Sequence, residues 1–170
     1  KLSDIDSMIN LLKSFNVKIK KLGNSLSLTS SIPKSLSASY DLVRKMRASF
    51  LILGPLVARH GCASVSLPGG CAIGTRPVNL HIHGLKKMGV SFKIDQGYVT
   101  GRINGKLKGA EINLKKVSVG ATENLLLEAT LAEGKTTINN AAREPEISDL
   151  CNMLVKMGAD IKGIGTKKIK

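Results

Sequence analysis

The sequence predicts an α/β (α+β) fold assembled from repeated units of helix and strand. Three stretches, 5–19, 78–92 and 147–161, share one pattern of apolar residues, and two others, 46–61 and 119–134, match each other. The repeated patterns combine the periodicity of an amphipathic helix with short alternating runs that are typical of strands. Units of about seventy residues that mix both kinds of element indicate packed α/β repeats.

The helix of each of the three stretches is predicted from apolar residues at positions i, i+3, i+4 and i+7. In the last copy these residues are Ile147, Leu150, Cys151 and Leu154, and that spacing puts them on one face of a helix. We expect the three helices to end at residues that adopt the left-handed conformation readily. These are Asn16, Gly89 and Gly158. A short strand is expected directly after each of them, at 17–19, 90–94 and 159–161.

The second repeated helix is predicted over 46–61 and 119–134, since both segments carry an apolar face and end in glycine. Pro55 lies inside the first segment, so we expect a kink there. Strands are predicted after the two helices, at 63–67 and 136–139. A hairpin-like strand pair is expected around 96–99.

We interpret the chain as a single catalytic domain with units at about 1–41, 42–112 and 113–170. The earliest unit lacks its opening helix and strand, so we expect the chain to be part of a longer protein. The interval from 61 to 78 is four residues longer than the matching interval from 134 to 147. The additional residues fall in the loop around Cys71, and loops lengthened on a rigid scaffold often carry function.

The composition of the 170 residues indicates a globular protein with an anionic partner. The net charge is +14, with 42% hydrophobic and 22% charged residues, and such a charge favours nucleic acid, phosphate esters or an acidic surface as the partner. Aromatic residues are only 3%, which disfavours nucleic acid because base-stacking platforms are scarce. No apolar run reaches membrane-spanning length. The three cysteines form no CxxC pair and are typical of reduced thiols in the cytoplasm.

The segment 67–77, with the sequence LPGGCAIGTRP, is the strongest candidate for a functional site. Cys71 lies among glycines that let the backbone move and approach a ligand. A thiol close to Arg76 is a candidate nucleophile or proton donor. Pro77 suits the first turn of a helix, so Arg76 is expected at a helix N-terminus that attracts anions. Cys62 and Cys151 are interpreted as structural.

Two further places could bind an anion. Segment 116–122, with the sequence KVSVGAT, leads a lysine and small residues into a helix, which is a possible phosphate cradle. Arg47 lies at the start of the matching helix, where a positive charge is unfavourable unless an anion is bound. His81 takes a position that is apolar in the other copies, and both a core role and a site role remain open. No HExxH, metal-spaced cluster or GxGxxG motif is present, so we predict no cofactor.

Three segments in order, 67–77, 116–122 and 141–147 (AAREPEI), resemble the enolpyruvyl transferases. The resemblance extends from about 42 to 165 and is weaker before that. It implies an inside-out barrel of two similar domains, each built from three βαβαββ units around buried helices. This chain would then be most of one domain, the one with the cysteine loop. The family's N-terminal Lys-Asn pair and its second domain, which carries an aspartate base, would lie outside it.

The resemblance also implies roles for single residues. Cys71 matches the cysteine that donates a proton, forms an adduct with phosphoenolpyruvate and is alkylated by fosfomycin. Arg76 matches a ligand of the substrate phosphate, and Arg47 matches a ligand of the UDP-sugar. The segment at the uridine end comprises Pro77, Val78, Asn79 and Leu80, and the segment at the diphosphate comprises Lys116, Val117, Ser118 and Val119. Asn79 departs from the family's pattern, in which aspartate is common.

The implied reaction is an addition and elimination between phosphoenolpyruvate and the 3-hydroxyl of UDP-N-acetylglucosamine, the step that commits material to peptidoglycan. We expect the 170 residues to be inactive alone, because half of the site would lie on the second domain. Two alternatives remain open. One is the shikimate-pathway branch of the family, which lacks this cysteine loop. The other is a basic nucleic-acid-binding module, which would leave the cysteine loop unexplained.

Overall fold

A computed structural model describes residues 3–44, 46–67 and 78–170, and of Arg47 only the backbone. The helices are α1 (Ser3–Ser14), α2 (Tyr40–Val43), a 3-10 helix (Arg47–Ile52), α3 (Leu53–His60), α4 (Asn79–Lys87), α5 (Val119–Ala129) and α6 (Pro145–Lys156). The strands are β1 (Lys18–Leu22), β2 (Ser25–Thr29), β3 (Ser37–Ala38), β4 (Cys62–Ser66), β5 (Ser91–Asp95), β6 (Tyr98–Arg102), β7 (Glu111–Asn113), β8 (Thr137–Asn139) and β9 (Lys168–Ile169). None of the described helices is both long and apolar enough to cross a membrane.

The larger sheet contains the complete predicted βαβαββ unit, and the next sheet repeats its topology with one strand fewer. In the larger sheet the order is β3-β4-β6-β5, with β3 parallel to β4 and the β5–β6 hairpin antiparallel beside them. In the next sheet the order is β7-β8-β9, again with a parallel pair followed by an antiparallel strand. The pairs Val65–Val99 and Ile138–Ile169 occupy corresponding places. The β1–β2 hairpin forms a separate two-stranded sheet.

The predicted opening helices correspond to α1, α4 and α6. The residues predicted to end them have positive φ angles: Asn16 at 63°, Gly89 at 101° and Gly158 at 104°. The predicted hairpin lies between β5 and β6. Gln96 and Gly97 at its turn both have positive φ, 46° and 78°, as in the two-residue turns that match the twist of a hairpin.

The prediction of one kinked helix over 46–61 is wrong in its detail. The segment is a 3-10 helix up to Ile52 and an α-helix from Leu53 onward. Pro55 therefore lies in the first turn of α3, where its missing N–H breaks no helical hydrogen bond. In a continuous α-helix the Pro55 ring would clash with the carbonyl four residues earlier. The preceding turn is accordingly a 3-10 turn.

The strand predicted at 159–161 does not form. Lys162 and Lys170 exchange backbone hydrogen bonds of 2.8 and 2.9 Å, but no ladder continues from them. The chain turns between these two residues through Gly163 and Gly165, whose φ angles are 82° and 76°. β9 spans only Lys168–Ile169 and pairs with β8. The free edge of β9 is therefore too short for residues 159–161 to pair with it as a strand.

Helix α5 lies against α3, α4, α6 and the 3-10 helix, and this packing forms the core. Leu125 of α5 is fully buried. Gly84 of α4 approaches it so closely that a Cβ on the glycine would overlap the leucine side chain. Cys151 on α6 is also fully buried, as predicted, whereas Cys62 in β4 is partly buried. Small residues on the neighbouring helices thus allow α5 to sit deep in the molecule.

Glu128 is an acidic side chain inside this core. It is fully buried, it packs against Gly54 of α3, and neither carboxylate oxygen has a hydrogen-bond partner in the described chain. Burial raises the pKa of Glu128 well above its ordinary value of 4.5. The folded protein therefore holds this proton more tightly than the unfolded chain. Stability must fall as the pH rises from the ordinary value toward the raised one.

Replacing Glu128 with methionine, which has a similar length and no charge, should stabilise the protein at pH 8. The expected gain in the free energy of unfolding is about 1–3 kcal/mol, the usual penalty for a buried polar group without a partner. The gain should shrink as the pH approaches 4, because the wild-type carboxyl is then neutral in both states. Urea unfolding between pH 4 and pH 8 measures this difference.

The control is Glu133→Gln on the surface. Hydrogen bonds from Lys108 and Lys106 lower the pKa of Glu133, so its contribution is present above the unfolded pKa and is lost as the pH falls. This variant should lose stability at pH 8 and match the wild type in acid. A Glu128→Met protein that is less stable than the wild type at pH 8 would contradict the interpretation.

Candidate active site

A cleft of about 620 Å³ opens where the start of α4, the start of α5 and the 3-10 helix meet. Its lining consists of Asp4, Met46, Ala48, Phe50, Leu51, Val78, Leu80, His81, Lys116, Val117, Ser118, Val119, Gly120 and Glu123. A second cleft, of about 560 Å³, lies at the opposite end of α5 and contains none of the predicted site residues. The first cleft is therefore the candidate site.

The N-terminus of α5 forms one wall of this cleft. Ser118 is its N-cap, and the Ser118 Oγ accepts a hydrogen bond of 3.3 Å from the backbone N–H of Ala121. Thr122 fixes the same turn, because its Oγ1 donates to the Ser118 carbonyl at 2.8 Å and accepts from the Ala142 N–H at 3.1 Å. The first turn of a helix presents N–H groups and the positive end of its dipole. Such a turn is suited to an anion.

The rest of the lining combines the Lys116 cation with two acidic side chains, Asp4 and Glu123, and with apolar surface. Lys116 is exposed and lies just before the helix, so its ammonium adds positive charge to the site. Val117, with 52% of its surface exposed, stands beside it. Val78 and Leu80 at the start of α4 supply apolar surface. The cleft can therefore hold a ligand that has both a charged group and an apolar or aromatic part.

His81 lies on the wall between α4 and α5. The Asn124 Nδ2 and the His81 Nδ1 are 3.0 Å apart. The Phe50 ring meets the imidazole edge to face, with centroids 5.3 Å apart and planes at 85°. The histidine is thus a partly buried side chain of the cleft with polar and aromatic contacts. The structure places it both against the buried Phe50 and on the lining of the candidate cleft.

Glu123 is the acidic side chain of the α5 wall. Burial raises the pKa of Glu123, and the nearby Glu146 raises it further. Protonation of Glu123 would remove a negative charge that opposes an anionic ligand. The affinity of the cleft for an anion should therefore fall as the pH rises through this raised pKa.

The structure brings together six of the eleven residues predicted for the site, on the lining of one cleft. They are Val78, Leu80, Lys116, Val117, Ser118 and Val119. Asn79 is the exposed first residue of α4. Arg47 begins the 3-10 helix between two lining residues. The predictions for Cys71, Arg76 and Pro77 fall outside the described residues.

Sequence reasoning missed the contribution of Asn124, Phe50 and Glu123. Asn124 is fully buried among the leucines of α5, and a lone amide in an apolar run was a signal of a buried polar partner. His81 carried the matching signal, since the other repeats have Met8 and Leu150 at its position. The pairing itself joins residues 43 positions apart, which local periodicity does not predict.

Comparisons with known proteins give one consistent result. The family model for EPSP synthase (3-phosphoshikimate 1-carboxyvinyltransferase) matches residues 1–170. A protein of Shewanella amazonensis named UDP-N-acetylglucosamine 1-carboxyvinyltransferase is 55% identical over 169 residues, which cover 99% of this chain and 40% of that protein. One of the same name from Shewanella woodyi is 54% identical over 170 residues, 99% of this chain and 41% of that protein. The chain thus spans about 40% of the length of the curated relatives it matches.

Solved structures support the same fold. The enolpyruvyl transferase NikO from Streptomyces tendae is similar with a TM-score of 0.78 at 21% identity, covering 96% of this chain and 39% of that one. EPSP synthase from Acinetobacter baumannii is similar with a TM-score of 0.72 at 21% identity, covering 99% of this chain and 39% of that one. The predicted enolpyruvyl transferase fold is confirmed.

The cap of α5 can be tested through stability. Replacing Ser118 with alanine should lower the free energy of unfolding by about 1 kcal/mol, because the Ala121 N–H loses its acceptor. Replacing it with aspartate should leave stability close to the wild type, since aspartate caps a helix as well as serine does and favours the dipole. Urea unfolding of the three proteins measures both effects. An alanine variant as stable as the wild type would show that the side-chain cap contributes nothing, and equal losses in both variants would show that the loss does not come from the missing acceptor.

Proposed function

Because the chain belongs to the EPSP synthase family of enolpyruvyl transferases, we propose that the whole protein transfers enolpyruvate from phosphoenolpyruvate to the 3-hydroxyl of UDP-N-acetylglucosamine. The observation that carries this proposal is the cleft at the N-terminus of α5, with Lys116 and Ser118 beside the helix end. Relatives at 52–55% identity carry the corresponding name. The reaction would be the first committed step of peptidoglycan synthesis. It would take place in the bacterial cytoplasm.

Different parts of the cleft would bind the diphosphate and the uridine of the UDP-sugar. The first turn of α5 and the Lys116 ammonium would bind the diphosphate, because both present positive charge and N–H donors. The apolar surface of Val78, Leu80 and Val117 would face the uridine. In this proposal Asn79 contacts the uracil in place of the family's usual aspartate, and Arg47 contacts the sugar nucleotide. Pro77 and Val119 complete the two binding segments.

The proposed chemistry is an addition followed by an elimination. The oxygen of the sugar 3-hydroxyl bonds to C2 of phosphoenolpyruvate and loses its proton to a base, while C3 gains a proton and becomes a methyl group. The tetrahedral intermediate then loses a proton from that methyl group and phosphate from C2, which restores the double bond as an enol ether. Cys71 is the proposed proton donor to C3. Arg76 would stabilise the phosphate charge that develops.

Binding of UDP-N-acetylglucosamine to the full-length protein tests the proposal. Lys116→Ala should weaken the affinity roughly tenfold or more, since a hydrogen bond to a charged group is lost. Glu123→Gln should strengthen it at pH 8 and remove the fall in affinity that the wild type shows as the pH rises through the Glu123 pKa. Isothermal titration between pH 5 and pH 8 measures both. Lys87→Ala, on the exposed last turn of α4, is the matched control and should change nothing.

Two results would contradict the proposal in different ways. Binding of shikimate 3-phosphate without binding of UDP-N-acetylglucosamine would assign the protein to the shikimate branch of the family. An effect of Lys87→Ala as large as that of Lys116→Ala would leave the substrate in place but move the binding site away from this cleft.

The role of Cys71 has a separate test in the full-length protein. Cys71→Ser should lower kcat about a hundred- to a thousandfold, the usual effect of losing one transition-state interaction, with unchanged affinity for UDP-N-acetylglucosamine. Cys71→Asp should keep activity and resist fosfomycin, because a carboxyl donates a proton but is not a thiol. Cys62→Ser is the control and should keep both activity and sensitivity. Full turnover by Cys71→Ser would show that the cysteine is not the donor.

A further inference from the structure

The contact between His81 and Asn124 defines where the imidazole carries its proton. Asn124 is fully buried, and its Nδ2 lies 3.0 Å from the His81 Nδ1. An amide nitrogen can only donate a hydrogen bond, so Nδ1 must accept. The proton of the neutral imidazole is then on Nε2. In an imidazolium both ring nitrogens carry protons, so the Nδ1–H of His81 would face the N–H of the Asn124 amide.

The orientation of the Asn124 amide follows from the same burial. Its Oδ1 is buried and has no partner in the described chain. Turning the amide over would exchange this oxygen for an NH₂ group that is equally buried and equally without an acceptor. Buried carbonyl oxygens without a partner are tolerated more often than buried N–H groups. The observed orientation, with the amide donating to the ring, is the less costly one.

The remainder of the imidazole lies near Phe50 and the start of α5, both of which line the cleft. Phe50 contacts the ring edge to face, which restricts its rotation. A Cβ built on Gly120 would lie 3.6 Å from the His81 Cε1 and 3.8 Å from its Nε2. The Cε1–Nε2 edge therefore lies next to the first turn of α5. The nitrogen on the cleft side is the one that carries the proton.

We propose that Asn124 is a positioning residue for the transfer reaction: it holds His81 as the Nε2–H tautomer, so that the ring presents a donor beside the N–H groups of α5. The proposal rests on the proposed function, in which an anionic oxygen of UDP-N-acetylglucosamine sits at this helix end. A lone pair on Nε2 would repel that oxygen, whereas an N–H attracts it. Asn124 itself does not touch the ligand.

The test uses Asn124→Asp in the full-length protein. The carboxylate keeps the shape of the amide but accepts a hydrogen bond, so it should draw the proton of neutral His81 to Nδ1 and leave Nε2 as an acceptor. At low pH the imidazolium would carry protons on both nitrogens. Among the side chains that the structure describes, the charged groups that line the cleft with the ring are Lys116, Glu123 and Asp4. Both proteins carry Glu123→Gln, so that this carboxyl does not titrate.

The readouts are the ¹⁵N NMR signals of His81, assigned with His81→Gln, and the dissociation constant for UDP-N-acetylglucosamine. With Asn124 present, the signals at pH 8.5 should report a proton on Nε2, so affinity should not be lost as the pH rises to 8.5. With aspartate, affinity at pH 8.5 should be roughly tenfold weaker, since a donor to a charged group is lost. The affinity of the aspartate variant should recover at pH 5.5, because the imidazolium again carries a proton on Nε2. A role in packing alone would not produce this pH profile.

Several results would overturn the inference. A proton on Nδ1 of His81 when Asn124 is present would do so, and so would an aspartate variant whose affinity follows the asparagine protein at every pH. If the aspartate variant does not fold, Asn124→Ala replaces it. Mixed tautomers and roughly threefold weaker binding would then support the role, and unchanged binding would overturn it. A wild-type protein that binds no UDP-N-acetylglucosamine would overturn the proposed function and this role together.

Discussion

The burial of α5 between α3, α4 and α6 is the packing arrangement on which the described structure depends. Leu125 can reach the centre only because α4 has Gly84 opposite it, where a Cβ would overlap the leucine. This close approach brings the first turn of α4 next to the first turn of α5. The cleft is the space left between those two turns. Its position is therefore a consequence of how the core packs, and its suitability for an anion depends on which helix ends meet there.

The same helix carries two buried polar side chains that have opposite consequences. Asn124 and Glu128 are both fully buried and leave oxygen atoms without partners in the described chain. Asn124 forms a hydrogen bond with a histidine of the cleft, so its burial contributes to the geometry of the site. Glu128 has no such contact, and its raised pKa marks a loss of stability at neutral pH. Of these two buried side chains of α5, Asn124 therefore contributes to the geometry of the cleft, whereas Glu128 only lowers stability.

The repeats show how one unit of a regular fold differs from the others at the candidate site. The two larger sheets share their strand order and corresponding paired residues. At one position of the opening helix, however, Met8 and Leu150 have His81 as their counterpart. A core position in two units has become part of the cleft wall in the third. The scaffold could accept this change because Asn124 and Phe50 satisfy the polar and aromatic surfaces of the ring.

Local patterns in the sequence were enough to predict the opening helices α1, α4 and α6, their left-handed ends and the α/β repeats, because periodicity and capping act within a few residues. The start of α5 after the segment 116–118 was predictable for the same reason. The sequence did not reveal that Pro55 begins an α-helix after a 3-10 turn, that 159–161 lacks a strand, or that Asn124 meets His81. These features depend on which distant elements dock against each other. Only tertiary packing decides whether a buried polar group or a strand edge finds a partner.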